Sequence, residues 1–131
     1  MTNEAEEYYS KGKHYFALME FGLALEAFNE ALTIAQADPS MEEIELAKLY
    51  NDIALCYYHL FDASQAYDYL KRSIAIKERL LDPTASTLEV ARANLKDIES
   101  EMKPKPPKTP KRSWQSFGRM IWLRYFKIGM L

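Results

Sequence analysis

The sequence predicts an all-α domain, and three observations support this. Of the 131 residues, 48% are apolar and 27% are charged, which is typical of a globular protein of one domain. Only 4 Gly and 6 Pro are present, and four of these prolines fall between residues 104 and 110, so few turn residues remain for a β-sandwich. Apolar residues also recur at helical spacing from the N-terminus to about residue 102.

Helix starts are marked by side chains that can cap the free N–H groups of a first turn, three residues before Glu or Gln. Four such signals occur: Asn3-Glu4-Ala5-Glu6, Ser40-Met41-Glu42-Glu43, Asp62-Ala63-Ser64-Gln65 and Ser86-Thr87-Leu88-Glu89. A fifth start is needed near Glu20 to Gly22, because one helix from 3 to 37 would be too long. Asp38-Pro39 and Asp82-Pro83 end the second and fourth helices. The sequence therefore predicts helices at about 3–18, 21–37, 41–60, 63–81 and 86–102.

The charge distribution divides the chain. Residues 1–102 carry 9 Lys and Arg and all 19 Asp and Glu, a net charge of −10, whereas residues 103–131 carry 8 Lys and Arg and no acid, a net charge of +8. The stretch between 103 and 112 has too many prolines for a helix and no apolar core residues. We therefore expect a helical domain at 1–102, a Pro/Lys-rich linker at 103–112 and a cationic amphipathic tail at 113–131.

An internal repeat appears when the sequence is shifted by 42 residues. The shift superposes Tyr8 on Tyr50, Gly12 on Ala54, Tyr15 on Tyr57, Ala24 on Ala66 and Leu32 on Ile74. A small residue at position 12 or 54 would let the paired helix approach, with tyrosines filling the space on either side. Helices three and four are therefore predicted to be a copy of helices one and two.

This pattern resembles the tetratricopeptide repeat, in particular the 42-residue type found in kinesin light chains. The resemblance implies two helix pairs plus a capping helix, followed here by a basic C-terminal tail helix. Met19 and Phe61 depart from the family pattern because they stand where the turn glycine is expected. The last helix does not continue the repeat, and we expect it to cover the second unit with Leu88, Ala91, Leu95 and Ile98.

In this family the first helix of each pair lines a concave groove, so the resemblance implies a binding surface for a peptide or helix of a partner protein. Its expected residues are Tyr9, Lys13, Phe16, Asn51, Leu55, Tyr58 and His59. The alternative is that Phe16 and Tyr58 pack against the capping helix or a second copy. We do not expect binding of the acidic tails of heat-shock chaperones, because Asp52 stands where that clamp needs an amide or a cation.

No pattern in the chain predicts an enzyme, a cofactor or a metal. Cys56 and His59, three residues apart, are at most half of a metal site, and no phosphate-binding loop or nucleophile motif is present. Cys56 is the single cysteine, which excludes an internal disulfide, and the acidic N-terminus lacks the features of a secretion signal. We therefore expect a non-enzymatic, cytoplasmic adaptor or scaffold.

The tail combines apolar and cationic residues, with Arg119, Arg124 and Lys127 among its aromatic side chains. Its expected interaction residues are Trp114, Phe117, Ile121, Trp122, Tyr125 and Ile128. Three hypotheses remain open: the tail docks into a groove of its own or a neighbouring chain, it binds an anionic membrane surface or another protein, or it is the remnant of a truncated or frameshifted gene. The alternatives to an adaptor are thus a membrane-surface tether or a regulatory subunit that self-associates through the tail. Nucleic-acid binding is not expected, because the aliphatic surface is too large.

Overall fold

The structure is a computed structural model that describes residues 1–104. It contains five α-helices: α1 (Asn3–Ala17), α2 (Phe21–Ala37), α3 (Glu43–His59), α4 (Ala63–Leu80) and α5 (Ser86–Met102). No strand occurs among these residues, so the predicted all-α class is confirmed. The helix bounds agree with the predicted ones to within two residues. Most of the predicted linker and the whole predicted tail lie outside the described residues.

The helix starts differ in detail from the predicted caps. Asp62 accepts a hydrogen bond from the Gln65 amide, as predicted, but α1 is capped by the Thr2 hydroxyl rather than by Asn3. Ser40 does not cap α3, because its amide and hydroxyl both donate to the Asp38 carboxylate in a tight turn. The helix consequently begins later, after Glu42. Ser86 is the first residue of α5, and the cap position is taken by Ala85.

The helices pack in sequence order. The pairs α1/α2 and α3/α4 make the most extensive contacts, and α2 with α3 and α4 with α5 make the next most extensive. No other pair of helices within residues 1–104 packs extensively, so the arrangement is an open array and not a closed bundle. Phe28, Leu49 and Ile53 belong to a first apolar core. Leu70 and Leu88 belong to a second.

Small residues lie where the helices approach each other most closely. A Cβ atom built on Gly12 would lie 2.5 Å from the ring of Phe28 on α2. Ala24, Ala54 and Ala66, which the 42-residue shift places at equivalent or facing positions, are fully buried. Close approach therefore depends on the absence of larger side chains at these positions.

The turns within the two helix pairs have the same backbone geometry. Met19 has a φ angle of 61° and Phe61 a φ angle of 62°, both in the left-handed region. In the first turn the Glu20 amide donates to the Tyr15 carbonyl at 2.9 Å, and in the second the Asp62 amide donates to the Tyr57 carbonyl at 2.9 Å. These residues are related by the same shift of 42 positions. Glycine adopts this conformation without strain, whereas Met and Phe do not.

Helix α5 covers the second core, as predicted. Leu88, Ala91 and Ile98 are buried there, and Leu95 packs at the edge. Within the described part of the chain, no helix is both long and apolar enough to cross a lipid bilayer.

Candidate functional site

The predicted partner-binding residues lie on α1 and α3 at equivalent positions. Tyr9, Lys13 and Phe16 are spaced by four and three residues on α1, and Asn51, Leu55 and Tyr58 have the same spacing on α3, so each set occupies one side of its helix. His59 follows directly. Lys13 and His59 are exposed, and the other five side chains are half-buried. We call these seven residues the α1/α3 face.

Aromatic contacts join α1, α2 and α3 at one end of this face. The rings of Phe21 and His59 stack at a centroid distance of 4.3 Å and an angle of 8°. Phe16 packs edge-on against Phe21 at 5.2 Å and against His59 at 5.6 Å. Tyr58 lies beside His59 at 5.7 Å. Three of the predicted residues therefore lie together, and two of them, Phe16 and His59, also hold the first helix pair against the second.

A polar cluster lies at the other end of the face. The Tyr9 ring packs against Phe28 at 5.7 Å, and the Lys13 ammonium lies 4.8 Å above the same ring. Burial raises the pKa of the Tyr9 hydroxyl, and the nearby Asp52 carboxylate raises it further. Tyr9 thus serves as a neutral hydroxyl beside an acid.

Asp52 is the central group of this cluster. Burial raises its pKa, and hydrogen bonds from the Tyr9 and Asn51 side chains and the charges of Lys13 and Lys77 partly offset that effect. Lys77 on α4 is 8% exposed; burial lowers its pKa, while Asp52 favours its charged form. The side chain of Asn51, one of the predicted partner-binding residues, is therefore half-buried and bonded to the Asp52 carboxylate.

Cys56 is fully buried in the first core. Burial raises the pKa of its thiol to about 12, and the Asp52 charge contributes in the same direction. A neutral, enclosed thiol is neither a nucleophile nor a metal ligand. Among the described residues there is no group of three or more His, Cys, Asp or Glu side chains that could hold a metal ion.

A second surface, which the sequence pattern did not predict, lies at the end of the array that carries the two turns. Five large apolar side chains are exposed there: Leu18 at 58%, Met19 at 74%, Leu60 at 42%, Phe61 at 97% and Met102 at 47%. We call them the turn-end patch. A cleft of about 340 Å³ opens beside it, lined by Tyr58, His59, Phe61, Ala63 and Glu101. The signal that could have revealed this surface was the pair Met19 and Phe61 at expected glycine positions.

The predicted interaction residues of the tail, Trp114, Phe117, Ile121, Trp122, Tyr125 and Ile128, lie outside the described residues. No model of a known protein family matches the chain, and no curated protein matches it.

Proposed function

We propose that the protein is a non-enzymatic adaptor of the tetratricopeptide type, which binds an extended or helical segment of a partner protein on the α1/α3 face. Three features support the family assignment. The helices stack in sequence order, small residues occupy the close contacts, and both turns repeat the same left-handed geometry 42 residues apart. Each is what a helix-pair repeat requires.

The observation that carries the proposed binding role is the composition of the α1/α3 face. Half-exposed Tyr58 and Leu55 offer an apolar surface, and exposed Lys13 and His59 offer polar contacts beside it. Aromatic side chains contribute a large contact area at low cost in conformational entropy. Because Phe16 and His59 are already held by ring contacts, part of this surface is ordered before a partner arrives.

The experiment begins with peptides selected for binding to the full chain from a displayed library. The double variant Phe16→Ala with Tyr58→Ala should reduce the affinity for these peptides at least tenfold, which corresponds to about 1.4 kcal/mol. Titration calorimetry measures the affinity, and circular dichroism checks that helicity is retained.

The matched control replaces two half-buried tyrosines away from this face, Tyr15→Ala with Tyr67→Ala, and should leave the affinity unchanged. Equal affinity of the wild type and the Phe16/Tyr58 variant would contradict binding on the α1/α3 face. Equal losses in the two double variants would show that general destabilisation, and not the face, governs binding.

A further inference from the structure

We infer that residues 113–131 dock on the turn-end patch of the same chain and fill the cleft beside Phe61. The docking itself does not depend on the proposed adaptor function.

The exposed apolar side chains of the turn-end patch indicate an interaction surface. Phe61 is 97% exposed and Met19 is 74% exposed, and both hold positive φ angles that glycine would adopt without strain. Strained backbone conformations in non-glycine residues cluster at functional sites. Leu18 and Leu60, one residue earlier in each turn, add further exposed apolar area. Large apolar side chains exposed at one end of a molecule are candidates for an interaction site.

The described chain leaves α5 at this same end of the molecule, ten residues before the tail. Helix α5 ends at Met102, which is itself part of the patch, and Glu101 lines the cleft. The ten residues 103–112 can span about 30 Å when extended as polyproline helix. Neighbouring helices pack about 10 Å apart, and Phe61 lies in the turn before α4, the neighbour of α5, so Phe61 and the cleft beside it lie within that reach.

The two surfaces are complementary in chemistry. The tail carries Trp, Phe, Ile and Tyr side chains together with Arg119, Arg124 and Lys127, and it contains no acid. The acidic residues around the patch are Glu20 and Asp62, at the starts of α2 and α4, and Glu101 in the cleft. Apolar contacts at the centre and opposite charges at the rim are the usual arrangement of a protein interface.

The covalent connection favours docking within one chain. A short linker gives the tail an effective concentration in the millimolar range at its own patch, which exceeds the concentration of other copies. Tyr58 and His59 belong both to the cleft and to the α1/α3 face. If the proposed adaptor function holds, a docked tail therefore competes with a partner at that end of the face.

Tryptophan fluorescence of the full chain tests this inference, because the only two tryptophans, Trp114 and Trp122, both lie in the tail. The emission maximum should be blue-shifted from that of the free peptide 113–131, and quenching by acrylamide should be severalfold weaker. Both effects should be independent of protein concentration, with a monomer in analytical ultracentrifugation.

The decisive variant is Met19→Gly with Phe61→Gly. Glycine suits both turns, so the melting temperature should be maintained or raised, yet the emission should shift to that of the free peptide. The matched control is Leu80→Ala, an exposed apolar residue at the other end of α4, which should leave the emission unchanged.

Four results would overturn the inference. The wild-type emission could equal that of the free peptide, or the glycine variant could keep the wild-type emission. A blue shift that appears only as the chain dimerises would assign the tail to a second copy. A blue shift that needs phosphatidylserine vesicles would assign it to a membrane surface.

Discussion

Gly12 shows how a single hydrogen atom in place of a side chain can set the distance between two helices. It lies in the middle of α1, where glycine weakens a helix by about 1 kcal/mol relative to alanine. The ring of Phe28, which is 1% exposed, occupies the space that a Cβ atom would need. The ring cannot move away easily because the surrounding core is filled. The gain in packing therefore outweighs the loss in helix propensity.

Gly12→Ala should lower the free energy of unfolding by about 1 kcal/mol or more, because the steric cost of overpacking exceeds the gain in helix propensity. Gly22→Ala is the matched control. Gly22 has no positive φ angle and nothing within 4 Å of its added Cβ, so this change should raise stability by about 0.5 kcal/mol. Urea denaturation followed by circular dichroism measures both. A stabilised Gly12→Ala protein would show that the first helix pair is not tightly packed there.

At the scale of the helices, the start of α4 has a side-chain cap that the starts of α2, α3 and α5 lack. The Gln65 amide donates to the Asp62 carboxylate at 3.1 Å. The cap residues of α2, α3 and α5 make no such side-chain hydrogen bond. Without the Asp62 carboxylate, the Gln65 amide could donate a hydrogen bond only to water.

Asp62→Ala should lower the free energy of unfolding by about 1 kcal/mol, the usual value of a helix cap. Ser86→Ala changes a residue with the same sequence signal but without the cap bond, so its effect should be no more than a few tenths of a kcal/mol. Thermal unfolding of the two variants side by side gives the comparison. Equal destabilisation would mean that Ser86 also caps its helix.

The helices could be predicted from the sequence because their apolar residues follow a regular period and because prolines mark their ends. The exact starts could not be predicted, since capping residues also form turns. Ser40 illustrates this. Its residue type and spacing suit a helix cap, but its amide and hydroxyl donate to the Asp38 carboxylate instead. Ala24 and Ala66, which the shift of 42 residues superposes, are both fully buried, as expected of small residues where helices cross.

At the scale of the whole molecule, the Asp52 cluster joins three helices. Tyr9 comes from α1, Asp52 from α3 and Lys77 from α4, so the groups that partly offset the burial of the Asp52 carboxylate come from both helix pairs. The spacing of these residues in the sequence did not predict that they lie close together. Their proximity arises because the helix pair α3/α4 packs against the helix pair α1/α2. From the sequence, Asp52 could be interpreted only as a group that disfavours an acidic ligand.

The cluster makes stability depend on pH in a defined direction. The carboxyl of Asp52 keeps its proton to a higher pH in the folded chain than its ordinary pKa of 3.8 allows. Its contribution to the free energy of unfolding is therefore present at low pH and is lost as the pH rises through the raised pKa. We expect the wild-type free energy of unfolding, minus that of Asp52→Asn, to fall as the pH rises above about 4.

Urea denaturation at a series of pH values measures this difference. Asp68→Asn, which removes an exposed carboxylate from α4, controls for the loss of one negative charge. If the curves of the wild type and Asp52→Asn run parallel over the whole range, the burial of Asp52 has no energetic consequence.

Part of the candidate site could be predicted from the regular spacing of residues along the helices. Residues related by helical spacing and by the 42-residue shift fall on one side of α1 and α3, so the α1/α3 face could be assembled from spacing alone. The stacking of Phe21 on His59 could not be predicted from spacing, because it depends on how closely α2 approaches α3. The turn-end patch was also missed, since exposure of an apolar residue is not visible in a sequence.

The buried thiol of Cys56 can report on local opening of the protein. It is the single cysteine of the chain, and it is shielded in the first core, to which α2 and α3 both contribute. An alkylating reagent can reach it only when those helices separate and the sulfur loses its proton. The rate of alkylation therefore measures how often the packing between α2 and α3 opens transiently. No label has to be introduced for this measurement.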